Sequence, residues 1–271
     1  MKLSVLMSIY YKEKVEYFNR AMESIWDEQT VKPNEIVLVQ DGKLTEELYS
    51  AIDKWQEKIG NILTIVPLKK NVGLGSALKE GLKRCSGDFI ARMDTDDIST
   101  PQRFEKQIEF LELNRDIDVV GTYIREIDEK GTVTRDIVKY PLEHKELYLF
   151  FKKRDPLPHV TVMFRKSFFN KAGSYRSDLK MAEDTLLWYY GFQNGCKFAN
   201  IEHIGVEVRQ GKDFYKRRGD IKKSIGLLKY RLFNINRKLN YGIKADLYAI
   251  AYFMISITPS FIKKLVYKIL R

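Results

Sequence analysis

Residues 89–93 (FIARM) form a largely apolar run that stops at Asp94, Thr95, Asp96 and Asp97. Alternate residues on a strand share a face, so Asp94 and Asp96 converge where the strand ends, and Asp97 opens the following loop. Three carboxylates this close repel one another and raise each other's pKa unless a cation or solvent relieves them. A solvated acidic turn is the simpler reading of an Asp-rich loop. Against it stands the buried strand before the cluster, because ligands of α/β folds bind at strand C-terminal ends. A divalent cation held by oxygen ligands is the economical explanation.

The preceding chain repeats a strand-then-helix unit that brings other residues to the same edge. Residues 3–9 (LSVLMSI) have the near-continuous apolar character of a central parallel strand. A helix follows, with Phe18, Met22 and Ile25 at helical spacing, and then a second strand at 35–39 that delivers Gln40, Asp41 and Gly42 to its end. A helix over 46–58, a strand over 62–66 and the stretch NVGLGSALKEGLKRCSGDFIARMDTDD (71–97) continue the alternation. The β-α-β-α-β-α-β order predicts an α/β fold with a doubly wound parallel sheet, whose ligands collect at the strand C-terminal edge. Ser8, Tyr10, Asp41 and the acidic cluster all fall there.

Downstream, Thr100 and Pro101 read as the N-cap and first turn of a helix whose buried face carries Phe104, Ile108 and Leu111. Residues 118–123 and 132–138 read as strands joined by the Glu129-Lys130-Gly131 turn, and 145–151 as helical. Pro156 and Pro158 bracket an irregular segment before a strand expected at 159–165. From Ala182 a helix begins with Glu183 and Asp184 in its first turn, where carboxylates suit the helix dipole.

Charge divides the chain. Residues 212–271 hold fifteen Lys/Arg and three Asp, a net of +12, whereas residues 1–211 hold 32 Lys/Arg against 33 Asp/Glu, a net of −1. A neutral domain thus precedes a polycationic tail, suited to nucleic acid, an anionic bilayer or a diphosphate-bearing substrate. Cys85 and Cys196 fit no metal spacing and are expected as buried, reduced thiols in a cytosolic setting. The apolar 3–9 run lacks the basic start and cleavage site of a signal peptide.

Three segments, LSVLMSIYYKEKVEYFNRAMESIWDEQTVKPNEIVLVQDGK, NVGLGSALKEGLKRCSGDFIARMDTDD and HVTVMFRKSFFNKAGSYRSDLKMAEDTLLW, occur in the order found in glycosyltransferase family 2. Across most of residues 3–188 the chain resembles the GT-A-fold members of that family, in particular bacterial transferases that build O-antigen, capsule or exopolysaccharide. The resemblance implies a Rossmann-like, mostly parallel sheet flanked by helices. It implies a transferase domain over 1–210, with a nucleotide-binding half to about 100 and an acceptor half beyond, and leaves 211–271 as a basic helical extension.

It further implies uridine recognition by Ser8, Tyr10 and Asp41, with Asn71 and Gly73 in a loop closing over the nucleotide. Asp94 and Asp96 stand where the family's DxD motif holds ribose and the diphosphate-bound Mn²⁺ or Mg²⁺, and Asp97 adds a carboxylate. Arg92 either steadies these carboxylates or touches the donor. Arg209, Arg217 and Arg218 are candidates for gripping the diphosphate, and His159 for lining the acceptor site. Asp184 occupies the catalytic-base position of an inverting transfer, with Glu183 its nearest competitor. Some relatives complete the metal shell with a later histidine; here the only later one is His203, so metal ligation is expected to rest on carboxylates, diphosphate and water.

The implied partners are a nucleotide sugar, UDP-linked, and a lipid-diphosphate-linked glycan, met at the cytoplasmic face of the plasma membrane. Residues 247–257 are too short an apolar run to span a bilayer, which needs about twenty residues. With Phe261, Ile262, Leu265, Val266 and Ile269 and the flanking cations, the tail reads as a helix on an anionic membrane surface, not a nucleic-acid binder. A helical cap or dimer contact is the alternative. Competing functions are a nucleotidyltransferase, for which SIYYKEK makes a poor triphosphate loop, and a non-catalytic scaffold, which leaves Asp184 and the Asp cluster unexplained.

Overall fold

The computed structural model describes residues 1–176, 179, 182–211 and 221–258 of the 271-residue chain. Its first half is the expected alternation: β1 (Leu3–Ile9), α1 (Val15–Ile25), β2 (Glu35–Gln40), α2 (Glu46–Ile59), β3 (Leu63–Pro67), α3 (Leu74–Leu82) and β4 (Phe89–Arg92). There follow β5 (Ile98–Ser99), α4 (Arg103–Leu113), β6 (Val119–Ile127), β7 (Val133–Val138), α5 (His144–Phe150), β8 (Met163–Arg165), α6 (Phe168–Ala172), α7 (Glu183–Gln193) and β9 (Phe198–Arg209). Two further helices, α8 (Ile221–Tyr230) and α9 (Ile243–Ile257), are joined through a π-helical turn at Arg231–Ile235.

Among the described residues nine strands form one sheet in the order β3-β2-β1-β4-β8-β6-β9-β5, with β7 beside β6. The β1–β2, β2–β3 and β1–β4 pairs are parallel, so the ends of β1, β2 and β4 leave the sheet on one edge. β8 then reverses direction against both β4 and β6. The parallel β6–β9 ladder is the longest, running from Val119↔Phe198 to Ile127↔Arg209.

Strand alternation distributes side chains to two layers of helix. Leu3, Val5, Met7 and Ile9 of β1 pack with Phe18, Leu48, Trp55 and Phe104 from α1, α2 and α4. Leu6, Val37, Val39 and Ile90 face the other way, toward Leu78, Phe168 and Trp188 from α3, α6 and α7. Thr45 caps α2 by accepting the Leu48 N–H at 3.3 Å, a contact worth about 1 kcal/mol. Cys85 and Cys196 are free and buried, as expected.

Two local expectations need correction. Helix α4 begins at Arg103 with no side-chain cap; the Thr100 hydroxyl is spent instead on the Ile204 carbonyl at 2.8 Å, tying the loop to β9. Only Met163–Arg165 of the run expected as a strand at 159–165 pairs in the sheet. Pro158 and Thr161 fold the start of that run into a 3₁₀ turn at His159–Thr161, closed by the Thr161 hydroxyl on the Pro158 carbonyl at 2.9 Å. The described part of the C-terminal segment packs on the same core. Ile235, Leu239, Tyr241 and Ala245 are buried with Leu147 and Phe151, and the Tyr148 and Tyr241 hydroxyls donate to the Leu239 and Tyr148 carbonyls at 2.6 and 2.7 Å. Phe261, Ile262, Leu265, Val266 and Ile269 lie outside the described residues. No described helix is long and apolar enough to cross a membrane.

Candidate active site

Ligand oxygens of Asp94, Asp96 and Asp97 lie within 4.8 Å of one another just beyond the end of β4, the spacing read from the sequence. Asp94 and Asp96 are half-buried and Asp97 is buried. Burial, and then the neighbouring Asp96 and Asp94 charges, push the Asp97 carboxyl well above the usual carboxylate range, although its bond to the Arg209 N–H opposes this. Three hard oxygen donors under mutual repulsion suit Mg²⁺ or Mn²⁺ in both ligand type and charge. His203 does not join the cluster: it sits on β9 with Nε2 3.3 Å from the Thr100 hydroxyl.

The cluster is braced from several sides. Arg92 is almost wholly buried, and its guanidinium bonds Asp94 and the Met93 carbonyl, which is the carboxylate-steadying role. Beneath it, Arg103 Nη2 donates to the Arg92 carbonyl at 2.7 Å. Arg209 was expected on the diphosphate, but the structure spends its guanidinium on protein: Nε donates to the Asp96 carbonyl at 3.0 Å and Nη1 to those of Asp128 and Glu129 at 3.0 and 3.2 Å. Its own N–H donates to Asp97 Oδ1 at 2.7 Å. Arg209 therefore fastens the acidic loop to the β6–β7 turn. Arg217 and Arg218 lie outside the described residues.

Glu13 is a fourth carboxylate beside the cluster, which sequence reasoning missed. Its Oε2 accepts the Thr95 hydroxyl at 2.5 Å, and burial chiefly raises its pKa, with a smaller contribution from Asp94. The polar loop after β1 gave no periodic signal that would have placed it.

On the nucleotide side, Ser8 is half-buried near the end of β1 and Tyr10 lies just past it, edge-on to Tyr11. Asp41 is buried at the end of β2, and its two carboxylate oxygens accept the Val72 and Gly73 N–H groups at 2.7 and 3.1 Å. Asn71 Nδ2 donates back to the Asp41 carbonyl at 3.2 Å. Gly73 adopts φ 84°, a left-handed conformation open to glycine at little cost. Gly75 serves packing instead: a Cβ there would lie 2.9 Å from Glu183 Cβ, so α3 and α7 meet only because the side chain is missing.

That contact brings the second carboxylate pair to the first. Glu183 and Asp184 open α7; the Asp94 charge raises the Glu183 pKa, whereas Lys223 and Arg92 lower it, all secondary to burial. Asp184 is pushed up to about 8, by burial first, then by Asp155 and Glu183. Asp155, also missed from sequence, accepts the Thr185 hydroxyl at 2.9 Å on each oxygen and meets Arg231 Nη2 at 3.4 Å. Arg231 also donates to the Phe151 carbonyl at 2.9 Å, so the C-terminal segment reaches the start of α7 through it. His159 bonds the Tyr175 hydroxyl through Nε2 at 3.0 Å and lies edge-on to Trp188. Burial and the Arg92 charge hold it well below its ordinary pKa, a neutral ring in an aromatic nest.

The model for glycosyl transferase family 2 matches residues 4–171, more than half of the chain. The chain belongs to glycosyltransferase family 2. It is 38% identical over 268 residues to the amylovoran biosynthesis glycosyltransferase AmsE of Erwinia amylovora, covering 98% of this chain and 97% of that one. It is 36% identical over 237 residues to the UDP-Gal:alpha-D-GlcNAc-diphosphoundecaprenol beta-1,3-galactosyltransferase of Escherichia coli, covering 87% and 84%. The fold matches that of the mannosyltransferase PcManGT from Pyrobaculum calidifontis, solved with GDP-Man and Mn²⁺, at a TM-score of 0.64 and 15% identity over 99% of this chain and 80% of that one. This family 2 member is thus a glycosyltransferase with a GT-A fold, and the nucleotidyltransferase and scaffold readings fall away.

Proposed function

We propose that this glycosyltransferase moves a sugar from a UDP-linked donor to a hydroxyl of a lipid-diphosphate-linked oligosaccharide, inverting the anomeric carbon. The reading assigns it to surface polysaccharide assembly at the cytoplasmic membrane face. One observation carries it: the Asp94, Asp96 and Asp97 oxygens lie within 4.8 Å of one another at the strand edge where Asp41 holds the Val72 and Gly73 N–H groups. The galactosyltransferase relative named above supports the donor and acceptor classes.

In this reading the Ser8, Tyr10, Asp41, Asn71 and Gly73 edge receives the nucleotide. Asp94, Asp96 and Asp97 hold Mn²⁺ or Mg²⁺, which when bound offsets the charge developing on the departing diphosphate. Arg92 keeps Asp94 oriented. Asp184 accepts the proton of the acceptor hydroxyl as its oxygen bonds to the anomeric carbon and the bond to the diphosphate breaks.

A panel of UDP-, GDP- and dTDP-sugars, assayed with Mn²⁺ and a synthetic lipid-diphosphate sugar, tests the proposal through nucleotide release and product stereochemistry. Acceptor-stimulated UDP release with inversion is expected. Consumption of only GDP- or dTDP-sugars would overturn the donor assignment, retention would overturn the mechanism, and release indifferent to the lipid acceptor would overturn the acceptor class.

A further inference from the structure

Helix α9 is built inside out. Its buried positions are Ala245, Asp246, Ala249 and Ser256, small or polar residues. Outward point Ile243, Leu247, Ile250, Met254 and Ile257, which are 74, 61, 41, 60 and 46% exposed. At about 100° per residue these five fall within an arc of about 80°, and no charged residue interrupts it. The stripe runs the length of the helix, about 21 Å at ~1.5 Å per residue. A soluble helix ordinarily turns such a face to the core.

The orientation is fixed from below. Asn236 Nδ2 and Arg237 Nη2 bond the two oxygens of Asp246 at 2.9 and 2.7 Å. Burial of Ala245 and Ala249 adds close packing on the same side. Rotating α9 to hide the stripe would break the Asp246 pairing and leave the buried Asn236 amide without its acceptor, which is costly. The large side chains are therefore held outward.

Charge selects what covers them. The stripe lies within residues 212–271, net +12, with Lys244 at its start and Lys263, Lys264, Lys268 and Arg271 following in the sequence. A second copy would bring the same positive charge to the contact, whereas an anionic bilayer offers apolar depth beneath a negative surface. We propose that α9 lies in the surface of an anionic bilayer with the Ile243, Leu247, Ile250, Met254 and Ile257 face immersed. This deepens the proposed function, whose acceptor is lipid-borne, by naming the element that meets the lipid. The turn leading into α9 carries Arg231, which meets Asp155 and through it the Thr185 beside Asp184, so that turn reaches the start of α7 by way of Asp155.

The test uses the full chain with vesicles of mixed phosphatidylglycerol and phosphatidylcholine, or of phosphatidylcholine alone, and the double variant Leu247→Lys, Met254→Lys. Both positions are exposed, and the substitutions remove apolar depth while adding positive charge. Co-sedimentation with the anionic vesicles is expected for the native chain, and a fall of about tenfold or more for the variant. Equal or tighter binding by the variant would mean adsorption by charge alone and would overturn the proposal. So would a native chain that stays in the supernatant, or one that light scattering shows to be a dimer dissociated by the substitutions. UDP release onto a water-soluble acceptor, measured without vesicles, should be unchanged in the variant; its absence from both proteins would count against the proposed function and leave the vesicle result to be read separately.

Discussion

Replacing Asp155 with Asn tests the base assignment through its titration. Asp184 sits at about 8 because burial, Asp155 and Glu183 all disfavour its ionised form, against the weaker opposing influence of the Thr185 N–H and Lys223. A carboxylate accepts a proton only when ionised, so kcat/KM should climb about tenfold per pH unit and level off above about pH 8. At pH 7 roughly a tenth of the molecules would carry the active base. Asn at 155 keeps an oxygen for the Thr185 hydroxyl but removes the neighbouring negative charge. The limb should move to lower pH, and the rate at pH 7 should rise as a fraction of the plateau. Stability follows the opposite sign. A folded value raised above the ordinary 3.8 makes ionisation costly, so this group's penalty is absent below about pH 4, grows as pH rises and is complete above about pH 8. The assay is transfer to a soluble acceptor from pH 5 to 9, with kcat/KM reporting the free enzyme. A native profile flat from pH 5 to 9, or a limb that Asp155→Asn leaves in place, would refute the reasoning.

Asp184→Asn should lower kcat by about a hundred- to ten-thousandfold with UDP affinity retained, while Glu183→Gln costs less; the reverse ranking would move the base by one residue. Asp96→Asn should abolish Mn²⁺-dependent UDP binding, read by thermal shift, without changing the circular dichroism of the free protein; undiminished binding would remove Asp96 from the metal site. Gly75→Ala should lower Tm and slow transfer, because overpacking against Glu183 Cβ and the Arg176 carbonyl, at 2.9 and 3.2 Å, costs about 1–3 kcal/mol against a helix-propensity gain of about 1. A higher Tm with full activity would show that α3 and α7 separate freely.

Local patterns made the first half of the fold and the acidic cluster legible. The β1–α3 alternation is periodic, and Asp94, Asp96 and Asp97 follow one another at a strand end, so their proximity is covalent before it is tertiary. Asp184 was legible only through family resemblance, since a carboxylate at a helix start is also ordinary dipole pairing. Asp155, Glu13 and Arg231 were not legible. Each lies in a loop or irregular turn, and its partner is 30 to 82 residues away for the contacts with Thr185 and Thr95. Arg209 was read from its residue type, and nothing in the sequence signals that its position at the end of β9 sets it against three backbone carbonyls. The tail held two signals at once: Ile235, Leu239 and Tyr241 bury inward, whereas the α9 stripe faces out, and composition alone averages the two.

The reversal of β8 gives the two walls of the site different anchors. Parallel strands β1, β2 and β4 give the site their exits, so the nucleotide side is bound to the spacing of a continuous ladder. Antiparallel β8 gives the same edge its entrance, the 151–162 segment that holds Asp155 and His159. Three residue pairs register β8 on β4, and just upstream the Val162 carbonyl accepts the Arg92 N–H at 2.9 Å. Farther upstream the segment is held by side chains, Asp155 on the Thr185 hydroxyl and His159 on that of Tyr175. One wall of the cleft is thus set by backbone register and the facing wall by side-chain contacts that a single substitution can undo.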